Sequence, residues 1–156
     1  MNSRSKGSRY ERKIAKLFSE YCGTEITRTP MSGGYNKKGD LTPKDPQQVV
    51  NFLFHLELKH REGWDFNGIF KNSKHPIWEW WKQCETEARG SNKVPILIFT
   101  KNLDLNYCMT ICSIFNRMRI KTDRCIFFDD FVIFQLDDLF KISYGEIGLN
   151  LRRPII

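Results

Sequence analysis

The stretch VVNFLFHLELK, residues 49–59, is the most regular strand pattern in the chain. Side chains alternate across a strand, so one face of this segment is predicted to be wholly apolar. That apolar face consists of Phe52, Phe54, Leu56 and Leu58. The opposite face carries Glu57 and Lys59, which share a side because they lie two residues apart. Such a charged pair either takes part in catalysis, or lies on a solvated strand face, or forms a cross-strand salt bridge.

The segments before this strand predict a helix, a short strand and a polar loop. Apolar residues recur at helical spacing over 8–22, Ser8 and Glu11 have capping-box spacing, and Gly23 stands at the C-cap position. A short strand is predicted over 25–29, followed by a glycine- and lysine-rich loop over 31–39 and a turn over 41–48.

The segments after it alternate between helix and strand. We predict a loop over 61–75, a helix over 76–89 and a buried strand over 94–100, the run VPILIFT. Residues 107–114 fit strand or helix, and strand is favoured. A hairpin over 125–136, a short helix over 137–142 and an irregular tail from 143 complete the chain. This order predicts an α/β fold with a central mixed β-sheet flanked by helices.

Size and composition fit one domain of 156 residues with 40% hydrophobic residues, which is enough for a core. The net charge is +7, and residues 1–39 contribute +6 of it. This imbalance favours a polyanionic partner. With no apolar run of transmembrane or signal-peptide type, we expect an intracellular, cytoplasmic protein without a membrane partner. The five cysteines form no CxxC pair, so reduced thiols are favoured over a zinc site.

Three acidic residues stand out by their context. Glu57 and Lys59 share a strand face, Asp40 follows the glycine-rich loop, and Glu11 lies beside the basic face of the first helix. Carboxylates of this kind hold hard divalent cations, with Mg²⁺ the default and Mn²⁺ a substitute. Such a cation polarises a phosphate and activates a bound water. We assign Lys59 first to positioning that water and stabilising charge, and second to general base.

Three segments together resemble the PD-(D/E)xK nuclease superfamily, and within it the archaeal and phage type of Holliday-junction resolvase. They are KGSRYERKIAKLF at 6–18, TRTPMSGGYNKKGD at 27–40 and HLELK at 55–59. The resemblance covers roughly residues 4–100. It departs from the family pattern at one position, because the proline expected before the aspartate is Gly39.

The resemblance implies a restriction-endonuclease-like core and cleavage of four-way DNA junctions by a homodimer. It implies a single nuclease domain over 1–156, in which residues 106–142 complete the sheet or form the dimer interface. The implied metal ligands are Glu11, Asp40 and Glu57, and the other implied catalytic residues are Lys59, Ser32 and Gln83. The residues expected to contact DNA phosphates are Arg4, Lys6, Arg9, Arg12, Lys13, Arg28, Lys37 and Lys38.

Several alternatives stay open from the sequence alone. Asp45, which precedes Pro46, competes with Asp40 for the aspartate position, although the glycine-rich loop leads directly into Asp40. Glu11 could serve only as the partner of Ser8 in a helix cap. The chain could also be a restriction- or repair-like nuclease of the same superfamily. A nucleic-acid-binding domain without catalysis is the alternative from another class.

Overall fold

The computed structural model describes residues 2–30 and 39–154, so Ser32, Lys37 and Lys38 lie outside the described residues. The helices are α1 (Ser3–Cys22), α2 (Pro46–Val49), α3 (Phe66–Lys71), α4 (Pro76–Ala88), α5 (Cys112–Met118), α6 (Leu136–Phe140) and α7 (Tyr144–Arg152). The strands are β1 (Ile26–Arg28), β2 (Leu41–Pro43), β3 (Phe54–His60), β4 (Val94–Thr100), β5 (Tyr107–Ile111), β6 (Ile126–Phe128) and β7 (Phe131–Gln135).

Five strands form one mixed sheet in the order β3-β4-β5-β7-β6. β3 and β4 are parallel and are joined through α4, whereas the remaining neighbours pair antiparallel. β1 and β2 form a separate antiparallel pair. The predicted fold class, an α/β fold with a mixed sheet flanked by helices, is confirmed.

The sheet is covered on both faces, and β4 shows why its sequence is continuously apolar. Ile96 and Ile98 belong to the core cluster that includes Ile14 and Phe18 of α1. The alternate residues of β4, with Leu97 among them, belong to the cluster that includes Ile77, Trp81 and Cys84 of α4. Burying a side chain such as Phe18 stabilises the fold by about 1.5–3 kcal/mol. The two helices therefore clamp the β3–β4 end of the sheet.

α1 begins earlier than its sequence pattern suggests. Asn2 caps the helix, because its Oδ1 accepts hydrogen bonds from the backbone N–H groups of Arg4 (2.8 Å) and Ser5 (3.1 Å). The predicted capping box is therefore wrong, and Glu11 lies in the interior of α1. The C-cap prediction is confirmed, since Gly23 has φ 69° in the left-handed region.

Several predicted boundaries are wrong because polar side chains cap helices that the apolar pattern does not reveal. The long strand predicted from residue 49 begins at Phe54, since residues 46–49 form α2 with Asp45 as N-cap. The predicted loop at 61–75 contains α3, capped by Asp65. The predicted irregular tail forms α7, capped by Ser143.

Two further segments differ from prediction. The turn predicted over 41–48 begins with β2, which pairs with β1. The favoured strand over 107–114 ends at Ile111, where α5 begins. The strand over 94–100 and the hairpin of β6 and β7 are as predicted. Among residues 2–30 and 39–154, no helix is both long and apolar enough to cross a bilayer.

Candidate active site

Asp40 is attached to the outer edge of β3, which has β4 on its other side. Its backbone N–H donates to the carbonyl of Leu56 (2.7 Å), and its Oδ2 accepts from the N–H of Leu58 (2.7 Å). Two polar groups of an edge strand are thereby satisfied by one residue. The backbone N–H of Thr29, which follows β1, donates to the carbonyl of Asp40, so Asp40 is hydrogen-bonded both to β3 and to the residue after β1.

Gly39 allows this close approach. Its φ is +75°, and a Cβ placed on it would lie 2.6 Å from the carbonyl oxygen of Leu56. Proline is excluded at this position because its ring fixes φ near −65°. The departure from the family pattern at residue 39 therefore has a backbone cause, and it leaves Asp40 beside β3.

Glu57 and Lys59 point toward α4 from the polar side of β3. Glu57 is 2% exposed, and its Oε1 lies 2.7 Å from Lys59 Nζ. Lys59 also donates to Oε1 of Gln83 on α4 (3.0 Å). The ammonium group is thus held by two acceptors from two elements, which fixes its position next to the carboxylate.

The carboxyl groups of Asp40 and Glu57 both have raised pKa values. Burial raises the pKa of Asp40 to about 6; the negative charges of Glu11 and Glu87 add to this, while the N–H of Leu58 opposes it. Burial, followed by repulsion from Asp40, raises the pKa of Glu57 to about 7 against the opposing effect of Lys59. Groups with such shifts are typical of sites where charge is arranged for chemistry.

Glu11 approaches the site from the other face of the sheet. Its Oε2 accepts a hydrogen bond from Arg28 Nε, so α1 and β1 are joined by a charge-assisted contact. Glu11 also interacts electrostatically with Asp40. Arg28, predicted to contact DNA, is therefore held against a carboxylate and remains partly exposed.

Two residues at the site, Glu87 and His55, were missing from the sequence-based set. Glu87 accepts from Nε2 of Gln83 (3.3 Å), and its Oε2 lies 3.6 Å from His55 Nε2. The side chain of His55 is completely buried, and burial lowers its pKa. Gln83 and Glu87 lie four residues apart on one helix, and this spacing is the signal that could have identified Glu87 from the sequence.

Three of the five predicted DNA-contacting residues of α1 line a groove of about 630 Å³. Lys6, Arg9 and Lys13 line one side, and Lys101 lines the side beyond β4. His60, the residue after Lys59, also lines this groove. Arg4 and Arg12 are exposed on the same helix. The positive charge of the N-terminal segment therefore extends to the strand that carries the carboxylates.

Asp45 lies apart from this arrangement. Its carboxylate accepts from the backbone N–H of Gln47 at the start of α2, and the residue is exposed. This geometry favours Asp40 over Asp45 as the aspartate that accompanies Glu57.

Comparisons with known proteins identify the family. Residues 2–143 match the family model described as "Phage putative PDDEXK endonuclease". The chain belongs to this family, and the predicted relationship to the PD-(D/E)xK nucleases is confirmed. The family is one of nucleases, and PDDEXK nucleases generally use divalent metal ions.

Two individual proteins are also similar. The chain is 29% identical over 107 residues to "Protein D14" of Escherichia phage T5, and the match covers 65% of this chain and 66% of that protein. The solved structure of Hjc, a Holliday junction resolvase from Archaeoglobus fulgidus, aligns with 12% identity and a TM-score of 0.42. That alignment covers 92% of this chain and 95% of the other.

We expect Gly39→Ala to lower the free energy of unfolding by about 1–3 kcal/mol, because the left-handed backbone and the contact with Leu56 both penalise a side chain. Chemical denaturation measures this loss. The matched control is Gly145→Ala, where an added Cβ meets nothing within 4 Å and the backbone is helical. Equal stability of the two variants would contradict the required role of Gly39.

We expect Glu57→Gln to be more stable than the parent protein at pH 8 in the presence of EDTA, by about 1–3 kcal/mol. The folded protein holds a proton on Glu57 that the unfolded chain releases near pH 4.5. The stability of the parent therefore falls as pH rises from about 4.5 through 7. Removing the titrating group removes this loss, and the two proteins should converge near pH 4.

Denaturant unfolding across pH 4–8 provides the measurement. The control is Glu20→Gln, which removes the same charge from an exposed position on α1. A Glu57→Gln protein that is less stable than the parent at pH 8 would show that the Lys59 contact outweighs the cost of burying the carboxylate.

Proposed function

We propose that this chain is a metal-dependent DNA endonuclease that cleaves four-way junctions by phosphodiester hydrolysis. The observation that carries the proposal is the meeting of Asp40, Glu57 and Lys59 at the edge of β3, beside a basic groove. Carboxylates for a cation, an ammonium group for the developing charge and a surface for phosphates then lie together. Membership of the PDDEXK endonuclease family supports the same reaction class.

The donor set fits a hard divalent cation, with Mg²⁺ preferred and Mn²⁺ as substitute. Glu11, Asp40 and Glu57 offer carboxylate oxygens, the ligands that Mg²⁺ prefers in proteins. Burial raises the pKa of Asp40, and repulsion from Glu11 adds to this; a cation would relieve that repulsion. When bound, the cation would polarise the scissile phosphate and lower the pKa of a bound water.

The other residues would act on the substrate and the attacking water. Lys59 is held between Glu57 and Gln83, so its ammonium group can orient the water and offset negative charge on the phosphate. Gln83 would position Lys59 rather than touch the substrate. In this proposal, Arg28 holds the carboxylate of Glu11 toward Asp40. Ser32, outside the described residues, would contact the phosphate.

The DNA would follow the basic side of α1. Arg4, Lys6, Arg9, Arg12 and Lys13 would bind backbone phosphates without reading bases. A four-way junction has near two-fold symmetry, so paired cuts require two sites related by the same symmetry, and a homodimer supplies them. A phage nuclease of this kind would act in the host cytoplasm, where its five free cysteines stay reduced.

A synthetic four-way junction with labelled strands tests the function directly. We expect symmetric paired nicks with Mg²⁺ or Mn²⁺ and no cleavage in EDTA. If linear duplex is cut as fast as the junction, the chain is not junction-specific, and the alternative of a restriction- or repair-like nuclease holds. Tight binding without cutting under any divalent ion would support the non-catalytic domain.

We expect Asp40→Asn to abolish cleavage and to preserve junction binding. Asparagine keeps an oxygen for the N–H of Leu58 but removes the charge that holds the cation. The matched control is Asp45→Asn, because the competing aspartate only caps α2 and asparagine caps equally well. Cleavage and gel-shift assays run in parallel separate the two effects. An active Asp40→Asn protein, or a folded but inactive Asp45→Asn protein, would reject the ligand assignment.

We expect Lys13→Ala to weaken junction binding and to reduce the slope of log K against log salt by about 1. The loss reflects one phosphate contact in the basic groove, so it should be the same for different DNA sequences. The control is Lys121→Ala, an exposed lysine that does not line this groove. An unchanged salt slope for Lys13→Ala would exclude a phosphate contact there.

A further inference from the structure

A second group of ligands lies deeper than the carboxylates discussed above. His55 and Glu57 share the polar side of β3, and Glu87 faces them from α4. One ligand atom from each of the three residues lies within 4.8 Å of the others. Glu57 is common to this group and to the proposed magnesium site, whereas His55 and Glu87 belong to this group alone.

The state of His55 points to a ligand. Its side chain is completely buried, and among the described residues neither ring nitrogen has a hydrogen-bond partner. Nε2 instead lies 3.6 Å from Glu87 Oε2, which is too long for a hydrogen bond. A buried imidazole whose contact with Glu87 is longer than a normal hydrogen bond is costly, and native proteins rarely keep one without a function.

The spacing of the ligand atoms suits a metal ion. Ligands about 2.1 Å from a tetrahedral ion lie about 3.4 Å from one another. The separation of 3.6 Å between His55 Nε2 and Glu87 Oε2 is close to this value. A carboxylate oxygen of Glu57 lies within 4.8 Å of both and offers the third ligand atom.

We propose that His55, Glu57 and Glu87 form a binding site for a divalent transition-metal ion such as Zn²⁺, Mn²⁺ or Co²⁺. An imidazole nitrogen with two carboxylate oxygens favours these ions over Mg²⁺, which prefers oxygen ligands and keeps several waters. Three protein ligands leave one position of a tetrahedral ion for a single water. A cation here would offset the repulsion of Glu87 and Asp40 on Glu57 and fix the carboxylate that the two sites share.

Cobalt binding to the full chain tests the site without any DNA. Four-coordinate Co²⁺ with a nitrogen ligand absorbs visible light much more strongly than Co²⁺ bound by oxygen and water alone. We expect the parent protein and Asp40→Asn to bind one Co²⁺ with the strong band. We expect Glu87→Gln to lose the band and to bind that ion at least about tenfold more weakly. Loss of the band in Asp40→Asn would overturn the proposal, because Asp40 is not one of its ligands.

The remaining variants separate ligation from folding and from nuclease activity. His55→Gln should lose the band as well. Because His55 is buried, thermal unfolding of this variant is compared with that of the parent protein to show that the variant is folded. The matched control is Glu85→Gln on the same helix, where the glutamate pairs with Arg89 at the surface and the band should persist. An unchanged band in a folded Glu87→Gln protein would overturn the proposal. The readout is independent of DNA cleavage, so an inactive nuclease with an intact band would reject the proposed function and leave this site standing.

Discussion

The contact between Asp40 and the edge of β3 is the constraint on which the arrangement of the site depends. A strand edge exposes unpaired N–H and C=O groups that must find partners. Here the backbone N–H of Asp40 donates to the carbonyl of Leu56, and its carboxylate accepts from the N–H of Leu58. The same two hydrogen bonds that complete the edge also place a carboxylate next to Glu57. Gly39 is required because only a residue without a Cβ can pass the carbonyl of Leu56 at this distance.

This placement has an electrostatic cost that the fold does not remove. Glu57 is buried and Asp40 is partly buried; Asp40 and Glu87 raise the pKa of Glu57, and Glu11 and Glu87 raise the pKa of Asp40. Lys59 opposes the repulsion but remains one positive charge among several negative ones. Both carboxylates therefore bind protons more tightly than free ones do, and a cation would compete with those protons. Functional sites commonly keep like charges close together in this way, at a cost in folding stability.

The sequence predicted best what packing alone determines. The run at 94–100 is apolar at nearly every position because β4 is covered by α1 on one face and α4 on the other, and its bounds were predicted as observed. The alternation in 54–59 placed Glu57 and Lys59 correctly on one side of β3. The short helix predicted over 137–142 corresponds to α6, whereas α2, α3 and α7 were missed because single capping side chains, such as Asp65 and Ser143, start them without a long apolar stripe.

Tertiary contacts account for the parts of the site that the sequence could not supply. Nothing local links Glu11 to Arg28, or Lys59 to Gln83, since each pair joins two elements across the fold. The capping-box spacing suggested that Glu11 caps its own helix. Because Asn2 is the N-cap instead, the carboxylate of Glu11 is available to pair with Arg28. Nothing in the sequence links His55 to Glu87 either, and only the packing of α4 against β3 brings the two together.

The position of β3 at the end of the sheet explains why the two helices can share one site. α1 and α4 lie on opposite faces, so an inner strand would keep their side chains apart by the thickness of the sheet. At the edge, Glu11 from one face and Gln83 from the other can both approach residues of a single strand. Asp40 occupies the place that a further strand would take, which keeps this edge from being covered. The edge position of β3 therefore lets Glu57 and Lys59 meet groups from both helices while Leu56 and Leu58 stay in the core.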